Sequence, residues 1–70
     1  MIVHMSGENL TSKEKFLKIY ANLPLGIRDE IVCVLNDEKT VSWNAAYLEV
    51  KNDTKIAKEI LEKMEKLDLL

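Results

Sequence analysis

The sequence has few of the residues from which catalytic and metal-binding sites are usually built. Its 70 residues include one cysteine, one histidine, one proline and two glycines. One cysteine cannot form an internal disulfide, and one cysteine with one histidine excludes a zinc site made from those two residue types. Two glycines leave no Gly-rich loop to cradle a phosphate. We therefore expect no cofactor, no metal, no small-molecule ligand and no enzymatic activity.

An excess of charge of one sign and a long hydrophobic run are also missing. Ten basic and twelve acidic side chains give a net charge of −2, whereas a nucleic-acid-binding protein normally has a basic stripe. No apolar run approaches the roughly 20 residues of a membrane-spanning helix. Met1–Met5 is too short for the hydrophobic region of a signal peptide and no cationic segment precedes it, so a cytoplasmic location is expected.

What the sequence does contain is typical of one small globular domain. Hydrophobic residues make up 47% of the chain and charged residues 31%, which are globular proportions. We expect a single domain over residues 1–70, with residues 1–10 as a flexible lead. Because a lone core in a chain of this size rarely supplies more than roughly 3–5 kcal/mol, self-association is the expected supplement.

The first helix has a clear beginning and end in the sequence. Thr11-Ser12-Lys13-Glu14 matches a capping box, in which the first and fourth residues bond to each other's backbone amides. An apolar stripe at helical spacing follows it: Phe16, Ile19, Tyr20 and Leu23. Pro24 disfavours helical angles at the residue before it. The pattern predicts a helix over 12–23, followed by a connector over 25–30 with room for one helical turn.

Residues 31–35 are the ambiguous segment. Five consecutive apolar residues, three of them β-branched, favour a strand covered on both sides. The alternative is a helix that continues through Leu35. Residues 36–39 are typical of a turn, and residues 40–43 alternate polar and apolar, as in a half-covered strand. These features together predict a β-hairpin.

Two further helices complete the predicted fold. Ser42 is a candidate N-cap for a short helix over 43–51, and either Asp53 or Thr54 can cap an amphipathic helix over 55–67. The prediction is a helix-dominated α+β domain with the order helix, β-hairpin, two helices. An all-α small helical bundle is the alternative.

The candidate contact residues lie on these last two helices. Trp43 and Tyr47 are one turn apart and form either part of the core or a recognition patch. Ile60, Met64 and Leu67 fit a coiled-coil-like spacing that is only two heptads long, so they form either intramolecular core or a dimer seam. On the charged side of the same helix, Glu59–Lys63 and Glu62–Lys66 have the spacing of ion pairs.

The remaining reactive groups have structural interpretations. His4 lies in the lead segment, where no general base is held against a target. Cys33 is flanked by valines and has acidic neighbours at Asp29, Glu30 and Asp37. These surroundings raise a thiol pKa, so we interpret Cys33 as a buried structural cysteine.

Without catalytic groups, the sequence predicts a small cytosolic protein–protein interaction or scaffolding module that self-associates. Its expected partner is a second copy or another protein. The alternative is a weak nucleic-acid-binding regulator of the helix-turn-helix type, formed by residues 43–51 and 55–67. Three lysines of the first helix, Lys13, Lys15 and Lys18, give that alternative a modest basic edge.

Overall fold

A computed structural model describes residues 10–70 of the chain. Its elements, in chain order, are α1 (Ser12–Ala21), a 3-10 turn (Leu25–Ile27), β1 (Ile31–Val34), β2 (Thr40–Ser42), α2 (Trp43–Lys51) and α3 (Lys55–Lys66). The predicted helix-dominated α+β fold is confirmed, and the all-α alternative is wrong. Of the predicted lead segment, only Leu10 is among the described residues, and His4 lies outside them.

The capping box starts α1 as predicted. The Glu14 amide donates to the Thr11 hydroxyl at 3.1 Å, and the Thr11 amide donates to the Glu14 carboxylate at 2.9 Å. The helix ends at Ala21, two residues before its predicted end, because Asn22 acts as the C-cap. The Asn22 side-chain amide donates to the carbonyl of Lys18 at 2.9 Å, a local bond that competes with continuation of the helix.

Residues 31–34 form a strand, so the helical interpretation of this segment is wrong. β1 and β2 make a two-stranded antiparallel hairpin. The Leu35 amide donates to the carbonyl of Lys39 at 2.8 Å and closes the turn. Glu38, in this short exposed turn, has a positive φ of 69°. Such a φ is uncommon for residues other than glycine.

Side-chain caps also start the last two helices. The Ser42 hydroxyl accepts from the Ala45 amide at 3.1 Å, as predicted. Of the two candidates for α3, Thr54 is the cap, and it accepts from the Ala57 amide at 3.1 Å. Asp53 instead takes the left-handed conformation, with φ of 54°, which Asp tolerates better than most residues.

The core lies between the hairpin and the helices. α2 and α3 contact each other and the hairpin, while α1 packs against α2 and α3. Every described element except the 3-10 turn contributes to the buried apolar core: Phe16, Cys33, Leu35, Val41, Ala46, Val50, Ala57, Ile60 and Met64. Within residues 10–70, none of the helices combines the length and the apolar character that crossing a bilayer requires.

Candidate functional site: an apolar groove beside the hairpin

The structure separates the three candidate contact residues of α3. Ile60 and Met64 have no exposed surface and belong to the core. Leu67 follows the last residue of α3 and is 59% exposed. The surface available to a partner therefore excludes Ile60 and Met64 and retains Leu67. The helical periodicity of the sequence placed all three residues on one stripe. Their burial differs because the rest of the fold covers Ile60 and Met64 and leaves Leu67 exposed.

Trp43 and Tyr47 both pack against the core from the first two turns of α2. Trp43 stacks on Phe16, with ring centroids 5.8 Å apart. The Tyr47 ring stacks on the Tyr20 ring, and the ammonium group of Lys51 lies 5.8 Å from the centroid of the Tyr47 ring. Both side chains are half-buried, and the ring contacts described above are all made within the protein's own fold.

An open apolar depression runs along β1. It has a volume of about 430 Å³. Its lining comes from β1 and from the C-terminal end of α3, and from no residue of β2: Ile31, Val32, Cys33, Val34, Lys63, Lys66 and Leu67. We call this depression the β1 groove. β2 covers one edge of β1, and the groove lies along the other edge, on which residues 10–70 place no strand.

A bulge in β1 concentrates apolar surface at this groove. Ile31 lies opposite Ser42 and Val34 opposite Thr40, with a register shift between Ile31 and Cys33. Ser42 and Thr40 are two residues apart in β2 and so project to the same face of the hairpin. Ile31 and Val34 therefore share the outer face, although they are three residues apart. They are 59% and 48% exposed, and regular alternation would have placed them on opposite faces.

Two lysines form the rim of the β1 groove on the α3 side. Among residues 10–70, neither Lys63 nor Lys66 lies within ion-pair distance of a carboxylate. The predicted pairs with Glu59 and Glu62 are thus not formed. The Glu59 carboxylate instead accepts the backbone amide of Asn36 at 2.5 Å, which fastens α3 to the hairpin turn.

Cys33 forms the buried floor of the groove and is 5% exposed. Burial raises the pKa of its thiol, the nearby Glu59 carboxylate raises it further, and Lys63 opposes the shift. The predicted direction is confirmed. The charged neighbour that contributes is nevertheless Glu59, not the acidic residues close in sequence, because the fold brings α3 against β1.

The basic residues of α1 are partly engaged within the protein. The ammonium group of Lys13 lies 2.9 Å from both carboxylate oxygens of Asp53, and the Ser12 hydroxyl donates to Glu65 of α3. These contacts fasten α1 to α3 and to the loop that precedes it. No cluster of three potential metal-binding side chains occurs within residues 10–70.

Sequence reasoning did not select the residues that line the groove on the β1 side. The run of apolar residues 31–35 was the available signal, but it predicted a strand covered on both sides. Only Cys33 and Leu35 of that run are buried. The bulge that places Ile31 and Val34 on one outer face has no marker in the sequence.

Comparisons with known proteins give no match: no family model, no curated protein and no solved structure is similar to this chain.

Proposed function

We propose that this protein is a small cytosolic interaction module that self-associates through the β1 groove. Its action is contact with another polypeptide rather than catalysis. The observation that carries the proposal is the groove itself, an open apolar depression of about 430 Å³ between β1 and the C-terminal end of α3.

The side chains around the groove support a protein partner. Ile31, Val34 and Leu67 are each about half exposed, and covering such surface is favourable at roughly 25 cal/mol per Å². Apolar patches rimmed by polar groups commonly mark interaction sites. Lys63 and Lys66 supply that polar rim, and lysine side chains commonly cover apolar surface with their aliphatic stems while the ammonium group stays in water.

The size of the domain supports self-association in particular. Within residues 10–70, nine buried apolar residues form the core, and a small core of this kind gains from an additional buried face. A free buried cysteine suits the reducing environment of the cytosol.

Sedimentation velocity over a range of protein concentrations tests the proposal. The expected mass at micromolar concentration is above that of one 8.1 kDa chain. Leu67→Asp, which places a charge at the groove, is expected to shift the mass toward one chain while the helical circular dichroism is retained.

Leu48 provides a matched control. It is 57% exposed, close to the 59% of Leu67, but it lies on α2 and does not line the groove. Leu48→Asp is expected to leave the mass unchanged. A monomeric wild type at all concentrations, or equal effects of the two substitutions, would contradict a specific interface at the β1 groove.

A further inference from the structure

We propose that residues 1–5 of the chain bind in the β1 groove of the same molecule, where they compete with a second copy. This inference rests on the proposed function, since it names what controls access to the same groove. Residues 1–9 lie outside the described part of the chain. Three observations favour this occupant: the groups that the groove offers, the composition of residues 1–5, and the place at which the described chain begins.

The edge of β1 along the groove can bind a peptide backbone. β2 covers one edge of β1, and residues 10–70 place no strand on the other. The Leu35 amide donates into the hairpin, to the carbonyl of Lys39 at 2.8 Å. Successive residues of a paired strand direct their backbone groups to alternate sides, so those of Val34 point to the groove edge. A polypeptide segment satisfies such groups, whereas a purely apolar small molecule does not.

The charges around the groove favour a segment without charged side chains. Lys63 and Lys66 line the groove on the α3 side. Exposed acidic side chains lie at both ends of β1, immediately before the strand and in the turn after it: Asp29, Glu30, Asp37 and Glu38. A strongly charged ligand of either sign therefore meets repulsion somewhere along the groove, whereas an uncharged apolar segment meets none.

Residues 1–5 have the composition that this groove requires. Four of the five are apolar, and no acidic, lysine or arginine side chain occurs before Glu8. Ile2 and Val3 are adjacent β-branched residues, a type that fits well beside a strand. Five residues also match the four of β1 in length. Covering the exposed apolar side chains of β1 is favourable at roughly 25 cal/mol per Å² of apolar surface buried.

The described chain begins close to the C-terminal end of α3. The Ser12 hydroxyl, at the start of α1, donates to the Glu65 carboxylate. In a helix with about 3.6 residues per turn, Glu65 faces away from Lys63 and Leu67, which line the groove. α1 and the groove therefore lie on opposite sides of α3, and the shortest route from Leu10 to the groove passes round the C-terminal end of α3.

Residues 6–10 are long enough for that route. Five extended residues span up to about 17 Å, whereas a helix with its side chains is about 10–12 Å wide. Residues 1–5 then remain for the groove. A ligand tethered by so short a connection has an effective concentration in the millimolar range, so it competes well with a second copy present at micromolar concentration.

The direction of α3 sets the direction of the segment in the groove. Glu59 contacts Asn36 at the turn end of β1, so the C-terminal end of α3 lies toward Ile31. A segment that arrives from that end runs antiparallel to β1. Ile2 then lies nearer to Val34 than to Ile31.

Disulfide trapping in the full chain tests the binding. In a Cys33→Ser background, Ile2→Cys with Val34→Cys places one thiol on the segment and one at the groove. Ile2→Cys with Leu48→Cys is the control, because Leu48 is 57% exposed, against 48% for Val34, but does not line the groove. A disulfide requires Cα atoms within about 7 Å of each other. With oxidised glutathione at low protein concentration, the groove pair is expected to form a disulfide within one chain at least about fivefold faster than the control pair. Circular dichroism verifies that each variant keeps its helices.

Sedimentation velocity without the added cysteines tests the competition. Ile2→Asp with Val3→Asp makes the segment unsuited to an apolar groove. It is expected to lower the dimer dissociation constant by about tenfold, because a groove filled by its own segment is not available to a second copy. Ser6→Asp with Asn9→Asp adds the same charge outside residues 1–5 and is expected to leave the dissociation constant unchanged.

The outcomes separate this inference from the proposed function. A faster disulfide within one chain, together with tighter dimerisation of the Ile2→Asp, Val3→Asp variant, supports the competition. A disulfide that joins two chains, or no preference over the control pair, overturns the binding of the segment in its own groove and leaves self-association in place if Leu67→Asp abolishes the dimer. Dimerisation that is unchanged by Ile2→Asp, Val3→Asp overturns the competition. A preferred disulfide within one chain, in a protein that stays monomeric in every variant, supports the binding of the segment and overturns self-association.

Discussion

The rings of Tyr20 and Tyr47 lie parallel, with centroids 4.3 Å apart and planes 8° from each other. One ring comes from α1 and the other from α2. The guanidinium of Arg28 lies 4.5 Å from the centroid of the Tyr20 ring, and its Nη2 donates to the Tyr20 carbonyl at 3.1 Å. The two tyrosines therefore join the first helix to the second, and Tyr20 also contacts the connector through Arg28.

A double-mutant cycle measures the contribution of this contact. Tyr20→Leu and Tyr47→Leu are each expected to lower the free energy of unfolding, and the coupling between them is expected to be about 0.5–1.5 kcal/mol, the usual value for an aromatic pair. Urea denaturation of the two single variants and the double variant provides the measurement. Tyr47→Phe keeps the ring and serves as the control. Additivity of the two leucine substitutions within about 0.3 kcal/mol would mean that the rings do not interact.

The Thr11 cap predicts a second stability difference. Thr11→Ala removes the hydroxyl that accepts the Glu14 amide and is expected to cost about 1 kcal/mol of unfolding free energy. Thr40→Ala, on an exposed strand position with no capping role, is the control. A Thr11→Ala variant as stable as the control in urea would show that the capping box does not stabilise α1.

The same box predicts a pH dependence. Hydrogen bonds from the Thr11 backbone amide, and secondarily from its side chain, hold the pKa of Glu14 below its ordinary value of 4.5. The unfolded chain therefore binds the proton more readily than the folded one. The stabilising contribution is present above pH 4.5 and is lost as the pH falls through the lower pKa of the folded state.

Replacement of Glu14 by Gln removes the titrating group. Its urea midpoint is expected to fall less than that of the wild type when the pH is lowered from about 6 to about 3. Glu62→Gln, an exposed carboxylate on α3, controls for the general loss of negative charge. Identical pH dependences for Glu14→Gln and the wild type would contradict the assignment.

Met64 and Leu67 differ in burial, so replacing each by alanine is expected to change the free energy of unfolding by different amounts. Met64 has no exposed surface and Leu67 is 59% exposed. Met64→Ala is expected to cost about 2–5 kcal/mol, since it opens a cavity in the core. Leu67→Ala is expected to change the stability of a single copy by less than about 0.5 kcal/mol. Urea unfolding at low protein concentration compares them, and equal losses would contradict the placement of Met64 in the core.

Cys33 is expected to react slowly while the protein is folded. Its thiol is buried and its pKa is raised, so little of the reactive thiolate is present or accessible. Reaction with a thiol reagent at about pH 8 is expected to be slow in buffer and fast in denaturing urea. A Cys33→Ser, Val34→Cys variant moves the thiol to a position that is 48% exposed and is expected to react fast in buffer. Fast modification of native wild-type Cys33 would contradict its burial.

Nucleic-acid binding is the alternative function, and the net charge of −2 disfavours it. Titration of labelled DNA and RNA at about 50 mM salt is expected to give no binding, since electrostatic affinity is strongest at low salt. Binding that weakens steeply with added salt, and that Lys15→Glu or Lys18→Glu reduces, would favour the regulator of the helix-turn-helix type.

Local signals in the sequence predicted the elements, although a helix through Leu35 was left open as the alternative to β1. Thr11, Ser42 and Thr54 begin the three helices because their hydroxyls satisfy amides that the first turn leaves unbonded. The β-branched residues before the 36–39 turn favoured the hairpin over a helix. These effects act over three or four residues, so they can be derived without knowledge of the rest of the chain.

The candidate site was only partly predictable. Leu67 was selected from the sequence and lies at the β1 groove, but Ile60 and Met64, on the same stripe, are buried. Ile31 and Val34 were not selected, because the bulge that gives them a common face depends on how β1 registers with β2. A pattern along one chain segment does not specify which of its faces a neighbouring segment will cover.

The sequence alone determined where the helices begin, the scarcity of histidine, cysteine and glycine, and the small size of the core. Only the tertiary structure decided which apolar residues remain exposed, and that Glu59 binds the hairpin turn instead of Lys63. The physical reason is range. Capping and backbone preference are set by adjacent residues, whereas burial, strand register and ion pairing depend on segments that are distant in sequence and meet only when the chain folds.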